Sequence, residues 1–211
     1  MRKGLFISIE GPDGSGKSTQ IENIKKFFEE KNIDIIFTRE PGGTPIGERI
    51  RDLILDKNCM EMDAMTEAML YAAARAQHVA QVIKPAMEAG KIVVCDRFVD
   101  SSIAYQGYGR GLGDAVSIIN RYAVKECMPD ITFLMKLDPR IGRGRIDEKN
   151  QDRLEMEKDA FHLSVFEGYL KLEEKEPERV IGIDASRSID EIRIDIYKKL
   201  EELLSRGFRQ E

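Results

Sequence analysis

Short apolar runs alternate with stretches of helical period along nearly the whole chain. Residues 5–9 are apolar and end at a glycine-rich loop, which predicts a buried first strand. Over 17–31, Ile21, Ile24, Phe27 and Phe28 recur at helical spacing. Further strands are predicted at 34–38, 92–95, 131–137 and 180–183. Between them, helices are predicted around Ile46, Ile50, Leu53 and Ile54, then over 65–83, 101–108, 115–125 and 161–174, with an amphipathic terminal helix over 189–204. The cluster Pro41-Gly42-Gly43-Thr44-Pro45 reads as a loop, and Pro85 as a break or a new helix start. Strictly alternating elements with wholly apolar strands predict an α/β fold whose parallel sheet is covered on both faces. Ligands in such folds collect at the C-terminal ends of the strands.

Composition narrows the class. With 211 residues, 42% of them hydrophobic and 34% charged, the chain suits one α/β domain with a full core. The net charge of −5 argues against nucleic acid as the main partner. Cys59, Cys95 and Cys127 are widely spaced and form no CxxC pair, so neither a zinc site nor a disulfide framework is expected, and a reducing cytoplasm fits. The N-terminus reads as a strand and not as a signal peptide, and no apolar run approaches the ~20 residues of a membrane span.

The sharpest signal is Gly11-Pro12-Asp13-Gly14-Ser15-Gly16-Lys17-Ser18, which fits GxxxxGK[ST] between a strand and a helix. Glycines let successive backbone N–H groups turn toward phosphate oxygens, and the helix that follows offers its N-terminus to the same anion. Lys17 is expected to reach the β- and γ-phosphates, Ser18 to bind Mg²⁺, and Thr19 to flank the phosphates. This loop predicts a nucleoside triphosphate but names no acceptor.

Other residues come in patterns with more than one reading. Tyr71 and Arg75, four apart, share a helical face, where they suit either a stacked base with a cation beside it or a core tyrosine and a solvated arginine. Ser102, Tyr105 and Gln106 lie at i, i+3, i+4; an amide suits a pyrimidine N3–H and carbonyl edge, but an ordinary polar helix face has the same spacing. Arg97 follows Asp96 at a strand end, where a guanidinium can clamp a phosphate or pair with its neighbour. Arg140, Arg143, Arg145 and Arg153 fall in a polar stretch, about 140–156, which is either a solvated face or a closing segment that brings charge to a phosphoryl group.

Thr38-Arg39-Glu40-Pro41-Gly42-Gly43-Thr44, Tyr71-Ala72-Ala73-Ala74-Arg75 and Asp96-Arg97-Phe98-Val99-Asp100-Ser101-Ser102-Ile103-Ala104-Tyr105-Gln106-Gly107, joined to the phosphate loop, make the chain similar to bacterial thymidylate kinases of the P-loop nucleoside-monophosphate kinase superfamily. The resemblance implies a five-stranded parallel sheet, a short Arg-rich lid, a homodimer, and Mg²⁺-dependent transfer of the ATP γ-phosphate to dTMP, giving dTDP and ADP on the way to dTTP. By the same resemblance Tyr71 replaces a stacking phenylalanine and Arg75 contacts thymine O4. Ser102 and Gln106 read the base, Tyr105 crowds the sugar 2′ position, and Arg97 holds the acceptor phosphate. Asp96 lies near the metal and acts indirectly, Asp13 meets the sugar 3′-hydroxyl or metal-bound water, and Arg39, Pro41 and Arg51 line the monophosphate pocket. Some relatives carry an arginine in the phosphate loop; here the position is Gly14, so Arg143 and Arg145 of the lid are expected to supply that charge.

The acceptor oxygen of a monophosphate is already anionic, so positioning and charge neutralisation suffice. His78 and His162 are therefore expected at the surface or pocket edge. A deoxynucleoside kinase would instead need a carboxylate base such as Glu10 or Glu40, and a nucleotide-dependent switch would need no acceptor constellation. The loop at Ala185 and Ser186 is expected near the adenine.

Overall fold

The computed structural model describes residues 4–145 and 151–207. Five strands, β1 (Leu5–Glu10), β2 (Ile35–Arg39), β3 (Ile92–Asp96), β4 (Ile131–Lys136) and β5 (Val180–Asp184), form one all-parallel sheet in the order β2-β3-β1-β4-β5. Four of the strands run one residue further than the apolar pattern predicted, and that residue is polar: Glu10, Arg39, Asp96 and Asp184. The register places Asp96 opposite both Ile9 and Arg39, so these polar ends share one edge of the sheet.

Alternation along the central strands divides the core. Ile7, Ile9, Ile131 and Phe133 point to one face, where α1 (Lys17–Glu30) and α9 (Ile189–Gly207) bring Ile24, Phe28, Ile196 and Leu200. Phe6, Val93 and Cys95 point to the other, packed on Val79, Ile83 and Met87. That face also carries Tyr105, Leu134, Val165 and Tyr169, with α8 (Asp159–Lys175) against the sheet. Side chains emptied from water on both sides account for the strand-length apolar runs.

The remaining helices are α2 (Pro45–Leu55), α3 (Ala64–His78), α4 (Lys84–Glu88), α5 (Val99–Ser102), α6 (Asp114–Val124) and α7 (Pro139–Arg143). Asp63 caps α3 by accepting from the amides of Met65 and Thr66. Pro85 does not break the run: α3 passes through a π-helical turn, Val79–Ile83, straight into α4. Proline has no N–H to give and crowds the carbonyl four residues back, and the wider turn before it relieves both demands. A second π segment, Ile103–Gly109, continues α5, so the predicted helix at 101–108 begins earlier and is wound more loosely than expected. In the predicted lid, residues 140–145 and 151–156 are described and residues 146–150, including Asp147, lie outside the described residues. Among the described residues no helix is long and apolar enough to cross a membrane.

Asp100, almost fully buried, is held by a two-pronged ion pair from Arg179 (2.7 Å to each oxygen) and by the Thr132 hydroxyl at 3.0 Å. This pair ties the start of α5 to β4 and β5. Arg179→Ala leaves the carboxylate buried and unpaired, and denaturant unfolding should show a loss of about 3 kcal/mol or more. A loss below ~1 kcal/mol would mean the pair does not hold these elements together.

Candidate active site

β1 delivers the chain into the phosphate loop at Gly11, whose φ of 136° belongs to glycine and whose Cβ would strike the Met135 carbonyl. Gly16 caps α1 in the left-handed region, so the helix begins with its free amides facing the loop. Lys17 curls back, donating to the carbonyls of Gly11 (3.0 Å) and Pro12 (2.9 Å). The Ser15 hydroxyl is buried with no hydrogen-bond partner among the described residues, as a loop built for an anion requires. Around this loop a cavity is lined by residues 13–20, Asp96, Arg97, Met135, Arg145, Glu155, Ala185 and residues 187–189 with Ile192.

A second cavity opens beside it. Its walls are Asp13, Glu40, Pro41, Arg51, Leu55, Tyr71, Arg75, Arg97, Phe98, Ser101, Ser102, Tyr105, Gln106, Asp152, Leu154 and Glu155. The two cavities share Asp13, Arg97 and Glu155. A triphosphate on the loop and a second ligand in the neighbouring cavity would thus meet at one guanidinium.

That guanidinium is heavily engaged. Arg97 has a φ of 64°, unusual for a side-chain-bearing residue, and it pairs with Asp13. It also donates to the Gly11 carbonyl (3.0 Å), Ser101 (3.1 Å), Tyr169 (3.1 Å) and Tyr105 (3.3 Å). Burial would raise the Asp13 carboxyl, but Arg97, Lys17 and the Tyr105 hydroxyl outweigh it and hold Asp13 well below the usual carboxylate range. Glu10 lies behind Arg97, accepting from the Phe98 amide (2.6 Å), Ser101 (2.5 Å) and Tyr169 (3.1 Å).

In the second cavity several lining residues are set by buried partners. Arg75 is not a solvated charge: it is 1% exposed and donates to Glu40 (2.7 Å), Ser102 (2.9 Å), Asn120 (2.5 Å) and the Phe98 carbonyl (3.0 Å). Glu40 in turn meets His78 at 2.9 Å, and His78 meets Thr38 at 2.6 Å. The expected surface placement of the two histidines is thereby corrected. His78 is fully buried and orients Glu40, while His162 is buried on α8 and lines neither cavity.

Most predicted residues are brought together. Tyr71, Arg75, Arg97, Ser102, Tyr105, Gln106, Pro41, Arg51 and Asp13 line the second cavity, with Arg51 anchored on the Pro41 carbonyl at 3.0 Å. The loop, Thr19 and Asp96 line the first. Arg39 does not reach the second cavity; it is exposed and paired with Glu48 at 3.0 Å. Of the lid arginines, Arg145 lies over the loop, 3.2 Å from the Gly14 carbonyl, whereas Arg143 turns away to pair with Asp159. Arg140 pairs with its neighbour Asp138. Arg153 is buried and structural, bonded to the Ile54 carbonyl at 2.9 Å and to Glu67 at 2.6 Å. Ala185 lines the first cavity, but its neighbours there are residues 187–189 and not Ser186. Sequence reasoning missed Glu155, Tyr169, Asn120 and Glu67. Glu155 falls within the polar stretch about 140–156, where only the arginines were singled out; Tyr169 carried no signal beyond a helical apolar position.

The Lys17 ammonium is pushed down to about 8, by burial first and by Arg97 next, against the pull of Asp13, Asp96 and Glu10. Below that pH the lysine meets a phosphate already charged. Above it, binding must take up a proton, so triphosphate affinity should fall by up to ~10-fold per pH unit. Calorimetric titration with a non-hydrolysable ATP analogue from pH 7 to 9.5 checks this; a flat profile would refute a depressed Lys17.

A family model described as Thymidylate kinase matches residues 9–196. A thymidylate kinase of Clostridium novyi (strain NT) is 50% identical over 196 residues, covering 91% of this chain and 96% of that protein. One from Geobacillus sp. (strain WCH70) is 52% identical over 194 residues, covering 90% and 92%. The crystal structure of a thymidylate kinase from Ehrlichia chaffeensis superposes with a TM-score of 0.74 at 33% identity, covering 94% of this chain and 99% of that one. With the paired cavities and the phosphate loop, these matches establish that the chain belongs to the thymidylate kinase family.

Proposed function

We propose that this chain transfers the γ-phosphate of ATP to dTMP with Mg²⁺, giving dTDP and ADP, as a cytoplasmic homodimer. The observation that carries the reading is the meeting of the two cavities at Asp13, Arg97 and Glu155. ATP on the loop aims its γ-phosphate at Arg97, and a nucleoside monophosphate in the second cavity brings its phosphate to the same side chain. Arg97 and Lys17 then neutralise charge that spreads over the migrating group, with Arg145 over the loop as the third cation.

No base is needed, and neither carboxylate named as a candidate base, Glu40 or Glu10, is placed to act as one. Glu40 is taken by Arg75 and His78, and Glu10 lines neither cavity. This favours a phosphate acceptor over a sugar hydroxyl. Tyr71 lines the second cavity, and the Gln106 carbonyl oxygen is buried without a partner among the described residues, as an acceptor for a pyrimidine N3–H would be.

The donor set fits Mg²⁺. Ser18 and Asp96 line the triphosphate cavity, and Asp96 Oδ1 is buried without a hydrogen-bond partner among the described residues. The ion, when bound, supplies positive charge to the β- and γ-phosphates. Exposed Met69 on α3, with Ile118 and Tyr122 one turn apart on the neighbouring α6, supports the homodimer. Tyr122→Glu should shift the protein toward monomer in sedimentation analysis; an unchanged dimer would exclude this face.

A coupled ADP-release assay over dTMP, dUMP, CMP, UMP and thymidine tests the activity. Turnover with thymidine and none with dTMP would overturn the reading. Arg97→Ala should lower kcat/KM for dTMP by about 10²–10³ while weakening ATP binding less than tenfold. A collapse of ATP affinity instead would place Arg97 on the donor side alone.

A further inference from the structure

Gln106 is 1% exposed and lines the second cavity. Its Nε2 donates to Glu67 Oε1 at 2.9 Å, and its Oε1 has no partner among the described residues. The two ends of a side-chain amide are nearly the same shape, so neighbours decide which end faces a ligand. Here the neighbour is Glu67, fully buried on α3 and absent from the cavity wall. Its Oε1 also accepts from Arg110 Nε at 3.2 Å, and its Oε2 from Arg110 Nη2 at 3.0 Å and Arg153 Nη2 at 2.6 Å. Burial alone would raise the Glu67 carboxyl, but hydrogen bonds from Arg110 and Gln106 hold it below its ordinary value. Glu67 therefore stays an acceptor, and a reversed amide would set oxygen against oxygen.

We propose that Glu67 is a positioning residue that turns the Gln106 carbonyl oxygen toward the acceptor cavity, and so makes the cavity select pyrimidines bearing N3–H over cytosine. It rests on the thymidylate reading and deepens it. Cytosine carries a lone pair at N3, which the fixed oxygen repels; thymine and uracil carry a hydrogen there, which the oxygen accepts. Glu67 touches no substrate. It acts through the amide it orients, while two arginines hold its other oxygen in place.

Glu67→Gln supplies the test. Two arginine N–H groups donate at the Oε2 position, at 3.0 and 2.6 Å, against a single longer contact of 3.2 Å from Arg110 Nε at Oε1, so the new carbonyl oxygen settles at the Oε2 position and the new amide nitrogen faces Gln106. Gln106 then turns over and presents its own N–H₂ to the cavity. The expected result is a rise of roughly 10-fold or more in KM for dTMP with a smaller change in kcat, and a dTMP-to-dCMP preference narrowed by about tenfold. Exchanging the two side chains, Glu67→Gln with Gln106→Glu, restores an oxygen facing the base and should recover most of that preference, which a residue that merely filled space would not allow. In the unaltered protein, one Gln106 amide proton should be protected from solvent exchange, before and after dTMP binding; this readout stands even if the variants do not fold. An unchanged dTMP-to-dCMP ratio in a folded Glu67→Gln, no recovery in the folded exchange variant, or unprotected Gln106 amide protons would each overturn the proposal. If the unaltered protein itself shows no preference for dTMP over dCMP, the thymidylate reading fails first.

Discussion

The Arg97 guanidinium ties the two halves of the site into one. It reaches back to the Gly11 carbonyl and the Asp13 carboxylate of the phosphate loop, and sideways to Ser101, Tyr105 and Tyr169 around the acceptor cavity. Holding a side-chain-bearing residue in the left-handed region costs about 1 kcal/mol or more, which persists only where the surroundings over-determine it. They do so here. The Arg97 amide is bonded to the Ile9 carbonyl, and the next amide, Phe98, is fixed by Glu10. Glu10 bears a cost of its own: burial, and then the Asp100 charge, push its carboxyl up to about 7. The constraint extends to Asp100, whose pairing with Arg179 anchors the helix start that carries Ser101 and Ser102.

A second buried network braces the wall of the second cavity as the first braces Arg97. Thr38, His78 and Glu40 form a chain that ends on Arg75, and Glu67 ends on Gln106. In both chains a deeply buried carboxylate, Glu40 or Glu67, holds a side chain that lines the second cavity. A guanidinium or amide fixed in this way needs little rearrangement when substrate arrives, so less of the binding free energy goes into ordering the site.

How far the sequence revealed this depends on whether a residue acts alone or through a partner. The apolar periodicity located every strand, because a strand buried on both faces has no polar interruption. It stopped one residue early at β1, β2, β3 and β5, because the last position of each is polar, and of those four residues Asp96 lines the cavity around the phosphate loop. The phosphate loop was legible, since its spacing is local. Tyr71 with Arg75, and Ser102 with Gln106, were left with two readings by their spacing, because a cavity-lining side chain and a solvated one follow the same period. The resemblance chose between them, and the cavity brings all four together. His78 was misplaced because its partners, Thr38 and Glu40, are forty and thirty-eight residues away. Glu67 and Tyr169 went unnoticed for the same reason: each matters through contacts that no window along the chain spans. The π turns at Val79–Ile83 and Ile103–Gly109 left no mark in an α-helical period, yet the second carries Tyr105 and Gln106 into the cavity.

Gly14 shows how a backbone contact can decide where charge comes from. Its φ is 74°, and a Cβ there would run into the carbonyl of Gly142; a Cβ on Gly142 would run into the carbonyl of Asp13. The phosphate loop and α7 therefore touch main chain to main chain, at a distance only two glycines permit. That seat sets Arg145, just beyond α7, within reach of the Gly14 carbonyl. A side chain at position 14, an arginine included, would force α7 off the loop and carry Arg145 away with it. In this chain a side chain at position 14 and a seated α7 exclude each other, and Arg145, just past α7, is the arginine that stands over the loop. The same seat separates the two lid arginines: Arg143, still within α7, faces Asp159, and Arg145, past its end, faces the loop.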